Sequence, residues 1–210
     1  MMAGSVNATR AELLAVRKKI ILANEGHRLL KLKRDVLVLE LMKLARDAHT
    51  TRERVDSAWR VAGDTLAIAQ MMEGSTGVLL VSLSIEEVPE IHAGLRNVMG
   101  VRLPFFTARG VRKELAVRGY GLTGTSSIID EASEAFEDLT GLIIAYGEQI
   151  GAIQLLTAEI IRLKRRVNAL EFKVIPELTA IRNEIVLRRD ELEREELSRI
   201  FWIKKRKARS

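Results

Sequence analysis

No cysteine occurs among the 210 residues. That excludes disulfides, thiolate catalysis and cysteine-based zinc or iron–sulfur sites. Prolines number three and aromatic residues make up only 4%, so a thick globular core built on large rings is not expected. No charged-then-apolar leader is visible at the N-terminus, and the longest apolar run, Gly77 to Leu83, broken only by Ser82, is too short to cross a bilayer. A soluble, cytoplasmic chain is expected. The residue types that are abundant are those of long solvated helices: charged residues reach 30%, mostly Lys, Arg and Glu.

The charge is partitioned. The net charge of +6 divides into 13 Lys/Arg against 7 Asp/Glu over residues 1–60, 6 against 12 over 61–158, and 15 against 9 over 159–210. Both ends are basic and the middle is acidic, which points to different partners at the two poles.

The last third carries a narrow apolar seam at Leu156, Ile160, Leu163, Val167, Leu170, Val174, Leu178, Ile181, Ile185 and Leu192. The three–four spacing is helical. At about 1.5 Å per residue, some sixty residues span roughly 90 Å, so the seam needs another long helix to cover it.

The first arm supplies that helix. A heptad runs through Leu13, Val16, Ile20, Ala23, His27, Leu30, Arg34, Leu37, Leu41, Leu44, Ala48, Thr51, Val55, Ala58 and Ala62, and twelve of these fifteen positions are apolar. The pattern predicts a left-handed coiled coil. Its alanines permit close approach and a thin rod. His27 and Arg34 interrupt the seam; polar groups there can fix register at a cost in stability, or Arg34 can lay its stem along the seam with its head in water. Thr9 or Asn7 is the expected N-cap, with Glu12 completing a capping box after Thr9, and Gly74-Ser-Thr-Gly77 is the first stop.

Between the arms, Gly77–Ile85 and Asn97–Phe106 are short β-branched runs that predict two strands of a hairpin packed on the helices. Arg109–Arg118 reads as a short helix or a loop. Gly119–Ser126 is a turn leading to a second long helix over about 127–207, with Ser127 as N-cap and Asp130 at N3. Gly141, Gly147, Gly151 and Pro176 are its weak points. Pro176 removes the bond to the Phe172 carbonyl, and the seam steps by four twice around it, so local unwinding or curvature is expected there. The resulting division is 1–74 for the N-terminal arm, 75–126 for the hairpin and loop region, and 127–210 for the C-terminal arm.

Catalytic chemistry is hard to assemble. Gly119-Tyr-Gly-Leu-Thr-Gly124 has the G-x-G-x-x-G spacing of dinucleotide loops, but no buried parallel strand precedes it and no acidic-ended strand follows, so a hinge loop is the better reading. His27, His49 and His92 lack ligand spacing. Glu191, Glu193, Glu195 and Glu196, interleaved with Arg188, Arg189, Arg194 and Arg199, form either a solvated face of i,i+4 pairs or a docking face. The tail Lys204-Lys-Arg-Lys-Ala-Arg209 suits nucleic acid, an anionic membrane or a polar protein cavity. No nucleophile, base and orienter come together, so no enzyme activity, cofactor or metal is expected of this chain.

Several stretches resemble one family, the D subunits of the vacuolar and archaeal (V/A-type) rotary ATPases. They are Gly26-His-Arg-Leu-Leu-Lys-Leu-Lys-Arg-Asp35, Asn97-Val-Met-Gly-Val-Arg-Leu-Pro104, Arg118-Gly-Tyr-Gly-Leu122, Arg165-Arg-Val-Asn-Ala-Leu-Glu171, Ile175-Pro-Glu-Leu178 and Glu191-Leu-Glu-Arg-Glu-Glu196. They stand in family order, and Ile200-Phe-Trp-Ile203 is a departure where the family pattern usually continues Arg-Leu-Lys.

The resemblance implies a mostly α fold. The N- and C-terminal arms pair as a long antiparallel two-helix coiled coil, with a small β-hairpin and loop region at the lower end. It also implies a non-catalytic rotor that enters the head of catalytic A and B subunits. The rotor binds the small F subunit of the stalk and a funnel-shaped subunit (C, or d in vacuolar enzymes), and transmits torque to the membrane ion-translocating ring. The chain is then peripheral on the cytoplasmic face, touching the membrane only through the complex and nucleic acid not at all. Expected partner contacts are Arg165, Arg166, Asn168, Glu171, Pro176, Glu195, Arg199, Lys204, Lys205 and Arg206. In the antiparallel arrangement Leu30 is expected within one or two turns of Ile181–Arg189. From other classes, a basic coiled-coil nucleic-acid-binding or chromosome-organising protein competes first, and a coiled-coil chaperone or tether second.

Overall fold

The computed structural model describes residues 9–85, 89–113, 118–120 and 126–207. Helix α1 spans Arg10–Ser84, strands β1 and β2 span Glu90–Val98 and Val101–Arg109, and helix α2 spans Ser127–Ala169. A π-helical turn at Leu170–Val174 joins α2 to α3, Ile175–Lys207. The fold is mostly α with one small antiparallel hairpin between long helices, as the sequence and its resemblance predict.

All fifteen heptad positions from Leu13 to Ala62 are buried or half-buried, with Leu37 and Ala62 fully enclosed. The seam of the last third is equally well covered from Leu156 to Ile185, but Leu192 is 50% exposed and lies outside it. At the start of α1, Thr9 caps the helix: its Oγ1 accepts the Glu12 amide at 3.2 Å and its carbonyl accepts that of Leu13 at 3.1 Å. Asn7, the other candidate cap, lies outside the described residues.

The chain forms two compact units, Met1–Asp35 with Ile161–Ser210, and Val36–Ile160. In the first unit the helices run antiparallel. Arg10 reaches Glu193 at 3.8 Å, Leu13 and Val16 pack on Ile185, and His27 meets Glu171 at 3.4 Å. This corrects the register expected for the antiparallel arms: Leu30 lies beyond His27, about four to five turns from Ile185. A seam of repeating apolar residues fixes which face is buried, not which turn meets which.

In the second unit the same antiparallel sense holds. Ala58 and Val61 of α1 share a groove with Ala135 and Leu142 of α2, and Leu66 and Ala69 share a cleft with Ile129 and Ala132. Gly77–Ile85 is not a strand. Through Ser84 it is helical, following a single break at Gly74 (φ 75°, ψ 156°). Val78 and Val81 are half-buried on one side while Leu79, Leu80 and Leu83 face outward. That spacing is helical, and packing overrides the β-branched composition. At positive φ with an extended ψ, Gly74 takes a conformation essentially only glycine adopts, and the chain then resumes its helix instead of turning back.

The segment Asn97–Phe106 is also two pieces, not one strand. A two-residue turn at Met99 (φ 51°) and Gly100 (φ 85°) divides it, and β1 pairs with β2 from Glu90↔Arg109 to Val98↔Val101. Positive φ at both turn residues suits the right-handed strand twist. Met99 is an unusual residue there, and the Asn97 Oδ1 steadies the turn by accepting the Gly100 amide at 2.9 Å.

Helix α2 starts one residue earlier in cap terms than expected. Ser127 is already helical, and the Ser126 carbonyl accepts the Ile129 amide at 3.0 Å. The helix passes through Gly141, Gly147 and Gly151 unbroken. Gly151 serves packing, since a Cβ there would stand 3.4 Å from the Pro104 ring.

The π turn sits where Pro176 and the double four-residue step were expected to unwind the helix. The Ile175 amide bonds the Leu170 carbonyl, five residues back. A π turn holds more residues per revolution than an α turn, so it absorbs the angular overshoot of Leu170–Val174–Leu178 and keeps all three half-buried.

By length and composition, 18-residue windows in α1 and in the run Ser127–Lys207 are apolar enough to cross a membrane, a property that uninterrupted apolar runs do not reveal. In α1 most of that apolar surface faces outward, including Met71 and Met72.

Candidate functional surfaces

The residues expected to meet partners fall in three places on the first unit. Arg165, Arg166 and Asn168 project outward from α2, while Leu163 and Val167 between them carry the seam. The alternation follows from helical spacing: the motif Arg-Arg-Val-Asn-Ala-Leu-Glu has one buried position and a polar exterior. Glu171 lies within the π turn and Pro176 just beyond it, and both are exposed. Glu171 approaches the His27 Nε2 to 3.4 Å without a hydrogen bond, and the His27 side chain is 20% exposed within the seam. The polar heptad position at His27 thus meets the one stretch where the opposing helix is widened.

The third place is the end of α3. Residues 191–207 are exposed throughout, and among the described residues α1 begins at Arg10, opposite Glu193. Glu195 and Arg199 form an i,i+4 pair at 3.7 Å, as do Arg189 and Glu193 at 3.4 Å. Surface pairs of this kind contribute little stability. Leu197, Ile200, Phe201, Trp202 and Ile203 are each at least half exposed, and the Lys205 ammonium lies 5.8 Å from the Trp202 ring centre. Lys204 and Arg206 extend the basic end. Apolar rings girdled by cations make a surface suited to a partner that offers both apolar and anionic groups.

A cluster that sequence reasoning missed lies in the second unit. Arg118 is buried, with its side chain 7% exposed. Its guanidinium donates to the Glu137 carboxylate and to the Asp130 carbonyl, both at 3.2 Å, and stands 3.5 Å from the Asp130 carboxylate. Tyr120 donates its hydroxyl to Asp130 at 2.7 Å. Nearby, Arg112 holds Asp138 through its Nε at 2.8 Å. These contacts tie the loop before α2 onto α2 itself, beside an apolar cleft of about 370 Å³ lined by Leu66, Val78, Val81, Ile129 and Phe136. The clue in the sequence was a run of cations, Arg112, Lys113 and Arg118, preceding the carboxylates of α2.

Burial opposes the charged guanidinium of Arg118, but hydrogen bonds with Tyr120 and Glu137 and the Glu137 charge outweigh it and raise its pKa. Burial also raises the Tyr120 phenol, reinforced by its bond to Asp130 and opposed by Ser133 and Arg118. Because the folded chain holds the phenolic proton more tightly, the stability Tyr120 contributes is intact below its unfolded pKa of about 10 and is lost as pH rises above it. Tyr120→Phe is expected to lower Tm at pH 7, where that contribution is intact and the bond to Asp130 is lost, and to flatten the alkaline fall in thermal stability above about pH 10; Tm measured against pH checks this.

The Gly119–Gly124 motif divides. Gly119 has φ 86°, and a Cβ there would stand 2.6 Å from the Ser84 carbonyl oxygen, so this glycine serves backbone contact with the end of α1. Gly121, Leu122, Thr123 and Gly124 lie outside the described residues. The other histidines pair locally, His49 with Glu53 and His92 with Glu90.

The profile of the family of ATP synthase D subunits matches residues 12–205. This chain belongs to that family. Among its relatives, the D subunit of the A-type ATP synthase of Methanoregula boonei is 44% identical over 201 residues, covering 96% of each chain. That of Methanosarcina acetivorans is 43% identical over the same shares, and that of Methanococcoides burtonii 43% identical over 98% of this chain and all of its own. As a member of the D-subunit family, the chain carries the exposed end of α3 as far as Lys205, and its buried Arg118 cluster, within the matched span.

Proposed function

We propose that this chain is the central-stalk rotor of an A-type ATP synthase, a non-catalytic subunit that passes torque between the catalytic A and B subunits and the membrane ion-translocating ring. The observation that carries this reading is the D-subunit family match over residues 12–205. The antiparallel helices suit the role: a rotor needs distinct surfaces that bias each catalytic site differently as it turns, not an active site.

In this reading the arms, 1–74 and 127–210, reach into the A/B head with the exposed end of α3 leading. The 75–126 region meets the small F subunit and the funnel-shaped one, C or d. The large exposed apolar residues of both helices, Leu22, Leu29 and Met72 among them, become surface for these partners. The protein is peripheral, on the cytoplasmic face of the membrane, held there by the complex. Arg165, Arg166, Asn168, Glu171, Pro176, Glu195, Arg199, Lys204, Lys205 and Arg206 are read as contacts.

Deleting residues 201–210 tests the coupling role. The deletion removes Phe201, Trp202 and the basic end but leaves the buried seam untouched. The reassembled complex is expected to keep ATP hydrolysis while ATP-driven ion pumping falls severalfold. Pumping equal to that of the intact complex overturns the role given to this end.

A further inference from the structure

The hairpin has one closed edge and one open edge. Phe106 donates its amide to the Glu148 carboxylate of α2 at 2.9 Å, so this N–H points away from β1. Phe106 stands opposite Ala93, Pro104 opposite Leu95, Ala108 opposite Ile91 and Arg102 opposite Asn97. Antiparallel pairing alternates, so all four pairs turn their backbone groups outward, away from the ladder. Pro104, with no N–H to offer, fits this position. On the β2 side the outward groups meet Glu148, and Pro104 packs against Gly151.

On the β1 side the outward amides and carbonyls belong to Ile91, Ala93, Leu95 and Asn97. Among the described residues no third strand pairs with them. Free edges are ordinarily blunted by proline, charged side chains, a bulge or shortness. β1 has no proline and no bulge, is nine residues long and nearly all exposed, and carries only Glu90 and Arg96 as charges. Ile91 and Leu95 stand on one face, 54% and 65% exposed. His92 and Arg96, both exposed, stand on the other.

Charge selects the occupant. Residues 61–158 hold 12 Asp/Glu against 6 Lys/Arg, yet Glu90–Arg109 holds three arginines against one carboxylate. The hairpin is a cationic island in an acidic segment. We propose that the outer edge of β1 binds an extended segment of another protein as a third strand, one whose residues alternate apolar and acidic. Its backbone pairs with Ile91, Ala93, Leu95 and Asn97, its apolar side chains cover Ile91 and Leu95, and its carboxylates face His92 and Arg96. A second copy of the same cationic hairpin is repelled by its net positive charge. β1 lies in the 75–126 region that the rotor reading gives to the small and funnel-shaped subunits, but its strand edge and charge alone carry the inference.

The probe is a labelled decapeptide of five Val–Glu repeats, titrated into the full-length chain and followed by fluorescence anisotropy and residue-resolved hydrogen exchange. Saturable binding is expected, with exchange slowed at Ile91, Ala93, Leu95 and Asn97. Five Val–Lys repeats are expected to bind at least tenfold more weakly, and Arg96→Glu to reverse that preference. Ala93→Pro, which deletes an outward N–H and no ladder bond, is expected to abolish binding.

Absence of saturable binding, equal binding of the two peptides, or unslowed exchange at those four amides overturns the proposal. So does self-association of the chain through the same amides, which assigns the edge to a second copy. Should Ala93→Pro fail to fold, the Arg96→Glu reversal and the exchange pattern of the unaltered chain decide.

Discussion

Arg118→Met is expected to destabilise the unit Val36–Ile160 by about 3–5 kcal/mol, the cost of removing one partner from a buried pair. The side chain is 7% exposed and its partner Glu137 17%, with 3.2 Å between them. Without the guanidinium the Glu137 carboxylate has lost its nearest cation in a poorly solvated place, and the Asp130 carbonyl has lost a donor. A lone arginine on a solvated loop would cost less than about 0.5 kcal/mol. Urea unfolding of the variant, read at pH 7, separates the two cases. The double variant Arg118→Met with Glu137→Gln should recover part of the loss, because the uncompensated charge has gone. A full loss in the double variant would show that packing of the arginine stem matters more than its charge.

Ile185→Ala is the counterpart in the other unit. Ile185 is fully buried against Leu13 and Val16, with Ile20, Ile181 and Val186 packed around them. Truncation leaves a cavity, and an expected loss of about 2–5 kcal/mol. The two helices here share one thin seam, so few neighbours can collapse into the gap. The loss should therefore appear as faster hydrogen exchange across Leu13–Ile20 and Ile181–Val186 well before the rest of the chain responds. Leu192→Ala, at a site 50% exposed, is the control and should cost less than about 0.5 kcal/mol. Equal effects at the two sites would mean that the seam extends past Ile185 in solution.

The contrast between those two residues shows what the sequence makes legible. Three–four spacing picks out Ile185 and Leu192 alike, since periodicity reports which side of a helix is apolar. Whether a partner lies opposite depends on where the other helix stops, and α1 starts only at Arg10, against Glu193. Register escapes for the same reason: spacing allows Leu30 to stand near Ile181–Arg189, although the arms align His27 with Glu171. The heptad from Leu13 to Ala62 is readable in full because one face of one helix is a local property.

In the middle of the chain the misreadings have a common physical cause. Gly77–Ile85 is rich in residues that favour strands, but one side of it packs and the other does not, and that geometry is helical. The hairpin turn carries Met99-Gly100 in place of the usual Asn-Gly, so the strand pair hides inside what looks like a single run. Arg118 gives no local signal of burial, because its carboxylate partners stand 12 and 19 positions away. The exposed positions Arg165, Arg166 and Asn168 are legible as a surface from the sequence, by the spacing of Leu163 and Val167.

The π turn before Pro176 also alters hydration. Proline brings no N–H, so a carbonyl in the preceding turn lacks its intrahelical donor. Phe172 (74% exposed) and Pro176 open this stretch to solvent. The carbonyl left without a donor is therefore open to solvent, a break in the helix's own hydrogen bonding at the level where Glu171 approaches His27.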